Sequence, residues 1–326
     1  MGLSTVQYFR DLYPESTIIY GVPQWTKSIF DEVKVACDFI YPMNLGSVNG
    51  TLQLWTDLLN FEVDLIHEMH QSGKGAKAFG SYSMLKRIPY TFHNHHLKSG
   101  TKIHDQGVIK SIIQRDLDGV FSFYGQEKAY PHFEDYAPKM SVNDVVSKNQ
   151  IIFGVVATRE TKMWPLFHYK KLAELFFEFD SSLQIKIPLS NSKQDTIIKE
   201  EILKLNFPNN TEIVHLPLKE LPKFFAGSIA YIGNDTGIKH LAVAVGVNTF
   251  TFFGAEPPNE WHPYNLTQHP YFFRDQLPCR TRTHHYCGLS RCDLKTDEFM
   301  QCLTKILPET VFQDVTFKLK AKLLRK

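Results

Sequence analysis

The stretch Gly233-Asn234-Asp235-Thr236-Gly237-Ile238-Lys239-His240 lies between an apolar run, Ser228–Gly233, and a short apolar segment, Ile238–Val245, that Gly246 closes at a helix C-terminus. A buried strand that turns directly into a helix is the pattern of a parallel α/β sheet, and it places Thr236 and Gly237 at the helix start. Free backbone N–H groups and the positive end of the helix dipole gather there, and they favour an anion such as phosphate. Gly237 lets the backbone approach such a group closely, and the Thr236 hydroxyl offers one more donor. The same residues also read as an ordinary aspartate cap on a core helix.

Further apolar runs at Ile151–Val156, Leu183–Pro188, Thr211–Pro217 and Thr249–Gly254 alternate with helical patterns, which gives strand-helix repetition through the second half. Leu166–Asp180 sets Tyr169, Leu172, Ala173 and Phe176 on one helical face. The first half repeats the rhythm less cleanly, with strands expected at Thr17–Val22, Asp38–Pro42, Val63–Met69 and Arg87–Phe92. A polar stretch at Ser141–Gln150 separates the halves, so residues 1–145 form one expected domain and 151–305 a second, with a C-terminal helix at 306–326. Two such sheets facing one another leave a cleft at the carboxyl ends of their strands.

The chain has 326 residues, 43% of them hydrophobic, enough for two cores. Its 36 basic and 34 acidic residues leave a formal charge of only +2, without the excess that nucleic-acid binding needs. The opening MGLSTVQYFRDLYP carries no secretory pattern, no run of apolar residues is long enough to span a bilayer, and five cysteines make an odd set. A cytoplasmic protein is expected. Neither a G-x-G-x-x-G nor a G-x-x-x-x-G-K-[ST] motif occurs, which excludes a fingerprinted dinucleotide dehydrogenase and a P-loop enzyme.

The segment GNDTGIKHLAVAVGVNTFTFFGAEPPNEWHPY resembles the diagnostic region of the bacterial ADP-heptose:lipopolysaccharide heptosyltransferases, glycosyltransferase family 9. It keeps Asp235-Thr236-Gly237, His240-Leu241, Gly246-Val247, Phe253-Gly254 and Trp261-His262-Pro263-Tyr264, with Asn248 where proline is usual. Earlier, Ala157-Thr158-Arg159-Glu160-Thr161-Lys162-Met163-Trp164-Pro165 resembles the family's donor-site loop. The resemblance implies a GT-B fold of two Rossmann-like parallel-sheet domains facing a cleft, the second holding an ADP-sugar. It implies that Thr158 and Lys162 contact the donor phosphates, that Lys162 acts catalytically by neutralising the departing diphosphate, and that Asp235, Thr236, Gly237 and His240 complete the donor site. Asp195 would accept from the donor ribose, although Gln194 at that position or a plain helix-start carboxylate fits as well.

The implied activity is inverting transfer, without a required cofactor, of a heptose or related sugar to a lipopolysaccharide-type or other glycan acceptor. A different nucleotide-sugar, a protein acceptor, or a non-catalytic nucleotide-sugar-binding protein are the alternatives.

In the first half, His67-Glu68-Met69-His70 and Lys74 are expected to line the acceptor side, with Glu68 as candidate base and His67, His70 and Lys74 as acceptor contacts. The H-E-M-H spacing is not the metalloprotease H-E-x-x-H, and His93, His95 and His96 read as loop residues. Asp116-Leu117-Asp118 reads as a solvated helix face rather than a D-x-D metal site. Cys279, Cys287, Cys292 and Cys302 are candidates for a structural zinc or iron, or for reduced packing thiols. The basic end, Lys318, Lys320, Lys322, Arg325 and Lys326 beside Phe317, Leu319, Leu323 and Leu324, suits peripheral contact with anionic lipid, or a solvated terminal helix.

In the resembling family a hydrophobic strand and a turn aspartate precede the helix that ends R-x-x-Y-P. Here Arg10-Asp11-Leu12-Tyr13-Pro14 comes almost at once, so the first sheet is expected to lack its first strand, and the candidate base with it. Such a chain is expected to bind ADP and turn over poorly.

Overall fold

Residues 1–69, 73–92, 98–99, 102–103, 110–125, 127–281, 287, 289–295 and 298–323 are described by the computed structural model. They divide into two units, Met1–Lys139 and Met140–Lys326. The first unit carries helix α1 (Leu3–Leu12), strands β1 (Ile19–Pro23) and β2 (Phe39–Met43), helix α2 (Val48–Asn60), strand β3 (Ile66–Glu68), helix α3 (Gly73–Lys86), strand β4 (Tyr90–Phe92) and helix α4 (Ile112–Val120). Ser47 starts α2 by accepting from the Gly50 N–H, and Ser111 starts α4 by accepting from the Gln114 N–H. Strands β1 and β2 pair in parallel, as do β3 and β4. Among the described residues the two pairs are separate two-stranded sheets.

Helix α4 corrects one expectation. Asp116 and Asp118 are both buried, not solvated. The Asp118 carboxylate accepts from Lys110 Nζ at 2.9 Å and Gln114 Nε2 at 2.8 Å, and also from the Tyr130 hydroxyl. A buried carboxylate with three donors is a structural polar node, as burial of charge requires.

The second unit is one six-stranded sheet of β5 (Gln150–Gly154), β6 (Gln184–Pro188), β7 (Thr211–Val214), β8 (Ala230–Asn234), β9 (Asn248–Phe253) and β10 (Tyr271–Phe273), in the order β7-β6-β5-β8-β9-β10. Every neighbouring pair is parallel. Counted along the chain this is the 3-2-1-4-5-6 order of a Rossmann-type sheet. Every residue of β5 and β8 is buried, which is why those runs show no polar alternation. Helices α5 (Leu166–Phe179), α6 (Lys193–Leu205), α7 (Leu221–Ala226), α8 (Gly237–Ala244) and α9 (Pro308–Leu323) accompany the sheet. Tyr169, Leu172, Ala173 and Phe176 of α5 are fully buried in one core with Val311, Val315 and Leu319 of α9. Gly246, at φ +80°, takes the left-handed position that ends α8.

Strand β10 is short and aromatic, and the sequence pattern did not reveal it. No described helix is long and apolar enough to cross a membrane.

Trp164 fastens this unit together. Its ring stacks on Phe252 at 4.2 Å and meets Tyr169 edge-on at 4.8 Å, and its Nε1 donates to the Ile306 carbonyl at 3.0 Å. Trp164→Ala removes a large buried side chain and leaves that carbonyl without its partner, so it is expected to lower stability by about 3–5 kcal/mol. A shift of the urea midpoint at constant m-value is the measurement.

Candidate functional site

Strands β5 and β8 are neighbours from which the chain continues to opposite sides of the sheet, so the crevice beyond their carboxyl ends is the place where such sheets bind ligands. Two loops enter it, residues 155–165 after β5 and 235–236 after β8. Gly154 and Gly233 are register partners in the two strands. A Cβ on either would strike the Tyr231 hydroxyl, at 2.0 and 2.6 Å, and that hydroxyl donates to the Asn234 carbonyl at 3.0 Å.

Asn234 then staples the two loops. Its Oδ1 accepts from the Trp164 N–H at 2.9 Å and the Tyr169 hydroxyl at 3.2 Å, and its Nδ2 donates to the Val155 carbonyl at 2.8 Å. Lys162 and Asp235, each close in sequence to the staple, are thereby brought together.

Asp235 does not cap α8. The cap position belongs to Thr236, extended at φ −148° and ψ 174°, and no side chain caps the helix there. The buried Asp235 carboxylate instead takes a lysine on each oxygen, Lys162 Nζ at 2.9 Å and Lys239 Nζ at 2.6 Å. Burial works to raise its pKa, but the ammonium groups of Lys239 and Lys162 outweigh burial and hold the carboxyl below its usual range. Lys239 is 0% exposed. It also donates to the Trp261 carbonyl at 2.9 Å and lies over the Phe253 and Tyr264 rings at 5.1 and 5.7 Å. Burial brings its pKa down to about 8, against the pull of Asp235.

His240 shares a hydrogen bond of 2.6 Å with the Tyr264 hydroxyl, and burial together with Lys239 keeps it well below the usual imidazole range, hence neutral. Two ammonium groups against one carboxylate leave a net positive charge beside an uncapped helix start. Gly237 is exposed, and a Cβ there would meet nothing within 4 Å. The chain's own packing does not require a glycine at this point. The space over the helix start is open, and its charge and donors suit phosphate.

The remaining expected residues fall as follows. Thr158 is exposed on the loop after β5. Asp195 is turned inward at the start of α6, accepting from the Ser190 N–H at 2.6 Å and the Ser192 hydroxyl at 2.8 Å. Its neighbour Gln194 reaches the loop after β5, donating to the Ala157 carbonyl at 2.7 Å.

In the first unit, Glu68 ends β3 and accepts from the Tyr90 hydroxyl at 2.5 Å, His67 shares 2.9 Å with the Thr91 hydroxyl, and Lys74 is exposed at the start of α3. His70, His93, His95 and His96 lie outside the described residues, as do Leu324, Arg325 and Lys326.

Cys279, Cys287, Cys292 and Cys302 line one small cavity with Thr161 and Arg280. Burial pushes the Cys302 thiol up to about 11, against the pull of Arg280. Among the described residues no three His, Cys, Asp or Glu side chains are set to share a metal ion. On α9, Leu319 and Leu323 are spent on the core, Lys322 donates to Asn248 at 2.5 Å, and Phe317 is exposed beside Lys318 and Lys320.

Sequence reading missed Lys239 and Asn234. Asn234 shows only as the residue before D-T-G, and a lysine at the third position of a helix is ordinarily read as solvated.

The chain is similar to several known proteins. The lipopolysaccharide heptosyltransferase 1 of Pseudomonas aeruginosa is 28% identical over 168 residues, 49% of this chain and 45% of that protein. The enzyme of the same name from Campylobacter coli is 32% identical over 113 residues, 34% of this chain and 33% of that protein. The matches thus span less than half the length of these curated relatives. Among solved structures, the E. coli ADP-heptose lps heptosyltransferase II superposes with a TM-score of 0.70 at 18% identity, covering 98% of this chain and 95% of that one. The E. coli heptosyltransferase WaaC with ADP superposes at 0.67 and 13% identity, covering 97% and 94%. Both show the fold. Residues 54–289 match glycosyltransferase family 9 (heptosyltransferase), and the chain belongs to that family.

Proposed function

We propose that the chain transfers a heptose or related sugar from an ADP-sugar to a lipopolysaccharide-type or other glycan acceptor, with inversion and without a catalytic metal. The observation that carries this reading is the net-positive group of Lys162, Asp235 and Lys239 beside the open start of α8. An acceptor hydroxyl attacks the anomeric carbon, the bond from that carbon to the diphosphate oxygen breaks, and the hydroxyl proton passes to a base. Lys162 and the N–H groups at Thr236 and Gly237 take up the charge that develops on the departing diphosphate, the role a metal ion serves elsewhere. His240 helps to shape the site. ADP as the nucleotide rests on the family resemblance and on the ADP held by the E. coli WaaC structure.

Glu68, with His67 and Lys74 near it in sequence, is the proposed base and acceptor side of the first unit. Gln194 is as well placed as Asp195 to meet the donor's nucleoside, because the Asp195 carboxylate already serves two donors at its helix start. Location on the cytoplasmic side and a peripheral lipid contact through Phe317, Lys318 and Lys320 belong to the same proposal.

Calorimetric titration with ADP, UDP and GDP separates this donor from other nucleotide-sugars, and a turnover assay beside it separates an enzyme from a non-catalytic binder. Lys162→Ala and Thr236→Ala are each expected to lower kcat/KM by the equivalent of about 1.5–3 kcal/mol while the protein stays folded. Unchanged efficiency in both would sink the donor-site assignment. Glu68→Gln is expected to lower kcat about 10²–10⁴-fold with donor affinity retained, and steady-state kinetics on a glycan acceptor reads it. The structural zinc or iron is proposed on the shared cavity alone. Close to one zinc or iron per chain by elemental analysis, lost on Cys292→Ser, would establish it, and metal-free protein of normal stability would end it.

A further inference from the structure

Lys162 has two roles that conflict. In the structure its ammonium lies on Asp235, and to serve the donor it must turn to a diphosphate. Leaving a buried carboxylate without a partner is strongly unfavourable, so a site with Asp235 and Lys162 alone would hold the lysine back. Lys239 removes the conflict.

We propose that Lys239 is a positioning residue that keeps Asp235 neutralised when Lys162 transfers to the donor's diphosphate. This rests on the donor-site reading above. The geometry divides the work between the lysines. Lys239 is 0% exposed and fixed by Asp235 Oδ1 at 2.6 Å, the Trp261 carbonyl at 2.9 Å and two aromatic rings. It has no route to a ligand. Lys162, 17% exposed at the end of the turn Glu160–Lys162, touches the other oxygen, Oδ2, at 2.9 Å. Each lysine has its own oxygen, so Lys162 departs without disturbing the Lys239 pair.

The other titratable groups that face Lys239 are His240 of α8 and His262 and His269 of the segment after β9. Burial holds His240 well below the usual range, His262 at about 3 and His269 at about 4, and it holds Tyr264 well above the usual phenol range. These four keep one protonation state from pH 7 to 9.5, whereas Lys239, with a pKa of about 8, loses its charge within that window.

The test is ADP affinity by calorimetry on the full chain. Lys239→Met keeps length and apolar contact but removes the charge, and it is expected to weaken ADP at least ~10-fold, because Lys162 is then the sole partner of Asp235. Adding Asp235→Asn removes the carboxylate that detains Lys162, and it is expected to restore most of that loss. A merely structural lysine would give no such recovery. In the unmutated protein, affinity is expected to fall as pH rises through about 8, the pKa of Lys239, and in the double variant that fall is expected to vanish. The pH profile stands even if Lys239→Met fails to fold.

Full affinity in Lys239→Met, a loss that Asp235→Asn does not relieve, or a flat pH profile each overturns the proposal. Lys162→Ala separates it from its premise. If that variant weakens ADP and Lys239→Met does not, only the role of Lys239 falls; if Lys162→Ala is also without effect, the donor site itself is misplaced.

Discussion

A carboxylate inside a protein stays ionised only where opposite charge and hydrogen bonds replace the water it has lost. Asp235 meets that condition with one lysine on each oxygen, and much of the second unit is arranged so that both arrive. Lys239 comes from the same helix, one turn on, so its spacing is local. Lys162 comes from a loop more than 70 residues earlier, and it arrives because β5 and β8 are adjacent strands whose following loops the Asn234 side chain holds at Trp164 and Val155. Breaking such a buried pair from one side typically costs about 3–5 kcal/mol, so the ion pairs and the strand order support each other.

The parts of this arrangement that rest on local pattern were readable in advance. Buried parallel strands are continuous apolar runs, so β5, β6, β8 and β9 were located to within a residue or two, and the left-handed Gly246 marked the end of α8. The D-T-G turn and the loop after β5 were legible as loops at strand ends because each is contiguous in sequence. What escaped was decided by tertiary partners. Lys239 is polar by composition and wholly buried by placement, and only the aspartate four residues before it and the aromatic rings from β9 and Tyr264 explain that. Asp116 and Asp118 were expected in solvent for the same reason, yet Lys110, Gln114 and Tyr130 draw Asp118 inside. Strand β10, three residues long, carries too little pattern to stand out from an aromatic loop. At α6, one sequence position offered two readings, and the structure gives Asp195 to the helix start and Gln194 to the loop.

The first unit was less legible, and its structure gives a reason. Its parallel pairs are short, with β3 and β4 only three residues each, and among the described residues the pairs do not join. A strand inside a continuous sheet is buried on both faces and shows as an apolar run, whereas a strand in a two-stranded pair has a free edge and fewer apolar neighbours. The burial agrees: β2 has no fully buried residue and β1 has one, while β5 and β8 have no exposed residue at all. The periodicity available to a reader of the sequence was therefore weak wherever the sheet itself is interrupted.

The net charge of the proposed donor site follows from the same balance. Two bare ammonium groups this close would repel each other, and burial would drive the deeper one to give up its proton. A single lysine with the aspartate would be neutral and would attract no anion. Two lysines sharing one carboxylate leave one unit of positive charge, hold the exposed lysine in a fixed direction, and keep the deeper one charged at neutral pH. If Lys162 serves the donor as proposed, the same carboxylate that orients it also competes for it, so orientation and release are opposing demands on one interaction. In the proposed donor site a second cation on the other oxygen meets both, because Lys239 is buried and stays on Oδ1 when Lys162 leaves Oδ2.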